Sequence, residues 1–224
     1  MKIDIISVVP DSMVSYIDAS IIKRAREKNK VEIRLIDLKK YSDDKFNRVD
    51  DYPYGGGAGM LIRCEPMFNC IESLQKDNNY DEIIYLTADG VPLTQSISNE
   101  LSLKNNLLLI AGHYKGIDQR IRNHFVTKEI SIGDFVLTGG ELPALTLMDS
   151  IVRLIPGVIS DSHAALTDSF MNGNLEEPQY TRPAEYRGMK VPEVLISGNH
   201  KKIEEWREEQ STMKTKNRRP DLLD

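Results

Sequence analysis

The chain's capacity for chemistry lies in four glycine-bearing segments and a few isolated charged side chains. Gly55-Gly56-Gly57-Ala58-Gly59 is the densest glycine stretch. It lacks the Lys-Ser/Thr that completes a phosphate-binding P-loop and the spacing of a dinucleotide fingerprint, so it is not a nucleoside triphosphate site. Behind Asp50-Asp51-Tyr52-Pro53-Tyr54 it reads as a flexible surface loop, with close backbone approach to a ligand as the functional alternative. The other three segments each follow an apolar strand pattern: Ala88-Asp89-Gly90, Gly112-His113-Tyr114-Lys115-Gly116, and Gly133 to Gly140. Ligands in an open parallel sheet bind beyond the carboxyl ends of strands, so three such turns can frame one pocket; taken singly, each is an ordinary strand-to-helix turn.

Asp168 sits in Thr167-Asp168-Ser169-Phe170, and Arg153 closes a helical pattern before Pro156. The histidines His113, His124, His163 and His200 make no pair with Cys or Asp at metal-ligand spacing, and no serine stands in a Gly-x-Ser-x-Gly elbow. Covalent catalysis and zinc hydrolysis are unsupported. Chemistry needing one base and one cation fits better, and methyl transfer from a sulfonium donor is of that kind.

The elements that must position these residues alternate along the chain. Lys2–Val9 and Val31–Asp37 read as strands around a helix over 11–28, where Met13, Ile17, Ile21 and Ala25 recur every four residues. A helix near Glu65–Leu74, a strand at Glu82–Thr87 and a helix opened by Thr94 follow. Next comes a strand over Asn106–Ala111. Its core, Leu107-Leu108-Leu109-Ile110, is too apolar for a sheet with one wet face, so helices should cover both sides. A strand near Lys128–Ile132 and a helix from about Leu142 to Pro156-Gly157 complete an α/β domain with a mostly parallel sheet. The mixed polar stretch that follows reads as a linker. Beyond it, Ile203–Gln210 and the closing Lys214, Lys216, Arg218 and Arg219 suggest a small helical unit with a basic end.

Composition sets the outer bounds. With 224 residues, 40% of them hydrophobic and 28% charged, the chain can build a core of one main domain with an appendage. No run of about 18 apolar residues occurs, and Asp4 interrupts what would be a signal peptide's apolar stretch, so a soluble, cytoplasmic protein with no membrane partner is expected. Cys64 and Cys70 read as reduced core thiols. A net charge of −5 argues against nucleic-acid binding by bulk charge and leaves a local basic patch open.

Together, Pro53-Tyr54-Gly55-Gly56-Gly57-Ala58-Gly59-Met60, Gly116-Ile117-Asp118, the run Ser131 to Ala144 (SIGDFVLTGGELPA) and Ser197-Gly198-Asn199-His200 closely resemble the bacterial tRNA (guanine-N1)-methyltransferases of the knotted SPOUT superfamily. Tyr180-Thr181-Arg182-Pro183 and Arg218 to Leu223 extend the likeness toward the end of the chain. The resemblance implies a knotted SPOUT domain over 1–157 containing a deep trefoil knot, a linker over 158–174 and a helical tRNA-binding domain over 175–224. It implies a homodimer with shared active sites. S-adenosylmethionine would lie bent in the knot against Tyr85, Leu86, Gly112, Ile132, Leu137, Gly139, Gly140 and Pro143, and the substrate would be tRNA, methylated on N1 of the guanine 3′ to the anticodon. Asp168 matches the family's general base and Arg153 its arginine near O6. Magnesium dependence is implied, with its ligands unassigned.

One departure stands out. Many members read Gly-Arg-Tyr-Glu-Gly-Ile-Asp where this chain has Gly112-His113-Tyr114-Lys115-Gly116-Ile117-Asp118, which exchanges an acid for a cation at Lys115. Lys115 is therefore left out of the catalytic set, and only the loop's backbone is expected to touch the cofactor. The competing readings are a SPOUT enzyme acting on another RNA position and a catalytically silent RNA-binding module. The presence of both Arg153 and Asp168 counts against silence, and the Gly55–Gly59 loop counts against other SPOUT families.

Overall fold

Alternating apolar strands and amphipathic helices produce the α/β arrangement around a parallel sheet that the sequence predicts. The computed structural model describes residues 1–159 and 168–223, and the chain divides into two units, Met1–Ser160 and Asp161–Asp224.

In the first unit β1 (Lys2–Ser7) leads through a 3₁₀ turn into α1 (Val14–Ile17) and α2 (Ser20–Glu27), followed by β2 (Glu32–Asp37). A short antiparallel pair, β3 (Asp50–Asp51) and β4 (Leu61–Ile62), brackets the glycine-rich loop. Then come α3 (Cys64–Gln75), β5 (Glu82–Pro92), α4 (Gln95–Ser102), β6 (Asn106–Ala111), α5 (Gln119–Phe125), β7 (Lys128–Ser131) and α6 (Glu141–Val152). The five long strands form one sheet in the order β2-β1-β6-β5-β7, every pair parallel.

Strand β6 lies at the centre, and its period-two geometry sends Leu107, Leu109 and Ala111 into one core and Leu108 and Ile110 into the other. The first core is closed by Ile22, Leu101, Met148 and Ile151 from α2, α4 and α6, the second by Met67, Ile71 and Ile121 from α3 and α5. Each such side chain contributes about 1.5–3 kcal/mol of burial free energy, so both layers hold the sheet rigid beneath its loops.

Two elements depart from the sequence expectation. The helix expected over 11–28 is broken: Ala19 is extended (ψ 154°) and Ser20 has φ 48°, so α2 restarts out of phase and buries Ile22 and Ala25, with Ile21 only packed alongside. The strand expected to stop at Thr87 continues to Pro92. Ile84–Leu86 pair with Lys128–Ile130, residues 87–90 bulge out, and Val91–Pro92 rejoin Ile130–Ser131. Gly90 permits this return, because a Cβ there would lie 2.6 Å from the Glu129 carbonyl carbon and the Ile130 nitrogen.

In the second unit a hairpin joins Glu185–Tyr186 to Met189–Lys190 through Arg187 (φ 53°) and Gly188 (φ 78°), the two positive φ values that a tight hairpin turn demands. Glu193–Ile196 and the long helix His200–Arg218 follow, the latter capped by Asn199, whose side chain accepts from Lys202 N at 3.2 Å. Leu175 is fastened to that helix: its N–H donates to Thr215 Oγ1 (2.9 Å) and its carbonyl accepts from Ser211 Oγ (2.7 Å). No helix among the described residues is long and apolar enough to cross a membrane.

Candidate functional site

Where β5 begins to bulge and β6 and β7 end, a cleft of about 180 Å³ opens, lined by residues 85–88 of β5, residues 112–116 after β6 and the loop running from β7 to α6. All eight residues matched to the cofactor loops, Tyr85, Leu86, Gly112, Ile132, Leu137, Gly139, Gly140 and Pro143, line it. The volume falls below the ~300–1,000 Å³ of sites that enclose a whole small ligand. Phe135, Val136 and Leu137 of the cleft lining stand exposed.

Backbone contacts knit the loops together. Gly140 N–H donates to the Gly112 carbonyl at 2.6 Å, and His113 bridges Gly139 in antiparallel fashion. A third segment joins from the side: Lys115 N donates to Met60 O and Ile62 N to Gly116 O, both at 3.0 Å. The close approach requires glycine at Gly140, where a Cβ would lie 2.6 Å from Gly112 N and 2.8 Å from Ala111 Cα. Gly55, Gly56 and Gly57 also have positive φ, but nothing lies within 4 Å of their would-be side chains and they do not line the cleft.

Tyr85 forms the cleft's buried floor, its ring against Gly112 and its hydroxyl 3.1 Å from a Cβ placed at Gly116. Burial pushes the Tyr85 phenol up, keeping it neutral. The Arg122 guanidinium lies 5.4 Å from the centre of that ring and pairs with Asp89 (2.9 Å) and Glu129. Asp89 in the bulge is held below the usual carboxylate range, first by the Thr87 hydroxyl and then by Arg122. This network fixes the bulge against α5. The sequence marked Asp89 only as part of a pocket-framing turn and did not mark Arg122 at all, because their pairing depends on the bulge.

Lys115 lies along the cleft wall with its stem across Gly59: a Cβ on that glycine would come within 2.8 Å of Lys115 Cγ. Arg153 is the C-cap of α6, its N–H donating to Asp149 O at 3.1 Å, a helix terminus where a cation is favoured. Asp168 belongs to the second unit and lines a cavity of about 640 Å³ there, with Glu176, Glu177, Glu204, Arg207 and Glu208 among its walls. Thr167 and His163, together with 160–166 of the expected linker, lie outside the described residues.

Among the described residues no group of three His, Cys, Asp or Glu side chains is arranged to hold a metal ion. The terminal cations divide: Lys214 Nζ donates to the Glu176 carbonyl (2.7 Å) and Arg219 pairs with Asp221, whereas Lys216 and Arg218 are exposed. Burial pushes the Cys70 thiol up to about 12 and that of Cys64 to about 11, which keeps both protonated.

The profile of the tRNA (guanine-1)-methyltransferase TrmD family matches residues 1–224. The chain belongs to this family. Full-length relatives agree: it is 54% identical to the tRNA (guanine-N(1)-)-methyltransferase of Flavobacterium psychrophilum over 224 residues, all of both chains. It is 55% identical to that of Christiangramia forsetii, covering all of this chain and 99% of the other. Against the protein of the same name from Chlorobium chlorochromatii it is 56% identical over its full length and 97% of the relative. Family membership makes it a SPOUT-type methyltransferase, in keeping with the parallel sheet and the glycine-built cleft beyond its strand ends.

Proposed function

We propose that this protein transfers the methyl group of S-adenosylmethionine to N1 of the guanine immediately 3′ to the anticodon of tRNA. The observation that carries the reading is the convergence of all eight matched residues on one cleft in a chain whose whole length fits the family. The residues suit the donor: backbone N–H and carbonyl groups of glycine loops can read an adenine edge, and small side chains let them come close. When bound, S-adenosylmethionine supplies an electrophilic methyl on a sulfonium.

N1 of neutral guanine carries a proton, so its lone pair cannot attack until that proton leaves. The Asp168 carboxylate accepts it, a role worth about 10²- to 10⁴-fold in rate. Negative charge then gathers on O6, where the Arg153 guanidinium stabilises the transition state more than the ground state. The described residues present no ready cage for magnesium, so no step is assigned to a metal.

The methyltransferase unit (1–157) is threaded as a deep trefoil knot, a reading supported by the family match over the whole chain. Residues 158–174 act as the linker and 175–224 as the tRNA-holding unit. The enzyme works as a cytoplasmic homodimer in which one subunit's Asp168 serves the other's donor cleft.

The test is transfer of labelled methyl from S-adenosylmethionine to unmodified tRNA transcripts. Label should enter a transcript with guanine 3′ to the anticodon and not one with adenine there; equal labelling of both would refute the position.

A further inference from the structure

Glu141 is the first residue of α6, and only 8% of its surface is exposed. A carboxylate withdrawn from water needs partners for both oxygens. Oε1 accepts a hydrogen bond from Ser7 Oγ at 2.7 Å, where β1 ends. Oε2 faces His113 Nδ1 at 3.7 Å, and that nitrogen is buried without a hydrogen-bond partner. A separation of 3.7 Å exceeds a hydrogen bond's ~2.7–3.2 Å yet keeps the two groups in strong Coulomb contact if the ring is protonated. A shift of about half an ångström would convert one into the other.

The pair spans two of the three segments that line the cleft. His113 stands on the loop after β6, and Glu141 follows directly on Gly139 and Gly140. Gly139 is the spacer between them: a Cβ there would collide with Glu141 Oε2 and lie 2.8 Å from His113 Nδ1. The remaining neighbours do not satisfy that nitrogen. Tyr114 meets the imidazole edge-on (centroids 4.9 Å apart), and Lys115, a donor only, lies along the wall of the same cleft.

We infer that Glu141 and His113 are a positioning pair for the methyl donor: the imidazolium donates from Nδ1 to the Glu141 carboxylate and locks residues 112–116 against 133–140 around the ligand. Neither side chain reacts with the substrate. Glu141 acts through His113, and Ser7 holds Glu141 in place from the opposite side. The inference rests on the reading of the cleft as the S-adenosylmethionine site.

Calorimetric titration of the full-length protein with S-adenosylmethionine, in the absence of tRNA, tests it. Wild-type protein that binds no donor refutes the site reading itself and not merely the pair. Given wild-type binding, Glu141→Gln, which keeps the shape and the Ser7 partner, should raise Kd about tenfold, as should His113→Gln; contacting residues commonly couple by this much. The double variant should be no worse than either single, and His113→Arg, whose charge is permanent, should stay within about threefold of wild type. In steady state the losses should fall on KM for the donor, with kcat nearly unchanged. Singles within twofold of wild type, an additive double variant, or His113→Arg as weak as His113→Gln would each overturn the pairing. If Glu141→Gln does not fold, His113→Gln against His113→Arg decides alone.

Discussion

Replacing Gly140 by alanine places one methyl group where the backbone of β6 already lies. The native φ of −84° and ψ of 0° suit any residue, so the cost is steric. The new Cβ would sit 2.6 Å from Gly112 N, 2.8 Å from Ala111 Cα and 2.9 Å from Ala111 C, against 3.4 Å where ordinary contact begins. These are backbone atoms at the end of a buried strand, and no rotamer can relieve them. The two loops must part by nearly an ångström, stretching the 2.6 Å hydrogen bond from Gly140 N–H to Gly112 O. Overpacking of this kind costs roughly 1–3 kcal/mol and the hydrogen bond roughly 0.5–1.5 more, a total of about 1.5–4.5 kcal/mol. At this chain length each kcal/mol lowers Tm by about 2–4 °C. Because the displaced backbone lines the cleft, S-adenosylmethionine affinity should fall at least tenfold, about 1.4 kcal/mol. Thermal melting and calorimetric titration measure the two effects. Gly188→Ala, in a hairpin of the second unit, carries a positive-φ cost without touching the cleft and should leave affinity unchanged. A Gly140→Ala protein with wild-type Tm and donor affinity would refute the argument that this backbone contact shapes the site.

Three further outcomes are expected. Asp168→Ala should lower single-turnover methyl transfer by about 10²- to 10⁴-fold while leaving S-adenosylmethionine binding intact by calorimetry; a matching loss of donor affinity would assign Asp168 to binding. Lys115→Ala should change donor affinity by less than tenfold, about 1.4 kcal/mol, since its stem packs on Gly59 at the cleft wall; a larger loss would show that its ammonium grips the donor. Lys216→Ala and Arg218→Ala should each reduce the salt slope of tRNA binding by about 0.7–0.9, whereas Lys214, tied to the Glu176 carbonyl, should act through stability; an unchanged slope for the first two would place the tRNA elsewhere.

The sheet was legible because its strands are near-continuous apolar runs and its helices carry four-residue spacing between turn signals. Where local pattern competes with local backbone, legibility fails. Met13, Ile17, Ile21 and Ala25 satisfy a helical template as well as the true arrangement does, yet the extended Ala19 and left-handed Ser20 shift the phase and exchange Ile21 for Ile22. The bulge over 87–90 was hidden for a similar reason: Ala88-Asp89-Gly90 reads as an ending turn, and only pairing with β7 reveals that the strand resumes. Within the cleft, glycine and apolar positions could be matched by motif, but the Glu141–His113–Ser7 cluster could not. Its members are separated by as many as 134 residues and meet only because β1, the loop after β6 and α6 converge.

The central claim is that a base removes the proton from guanine N1 before methyl transfer to that atom. Its most direct test is to digest tRNA methylated by the wild-type enzyme to nucleosides and identify the product's regiochemistry, with a reverse-transcription stop marking its position. The account predicts 1-methylguanosine alone, at the residue 3′ to the anticodon. Methylation at N7 or the exocyclic N2, or at another guanine, would contradict it.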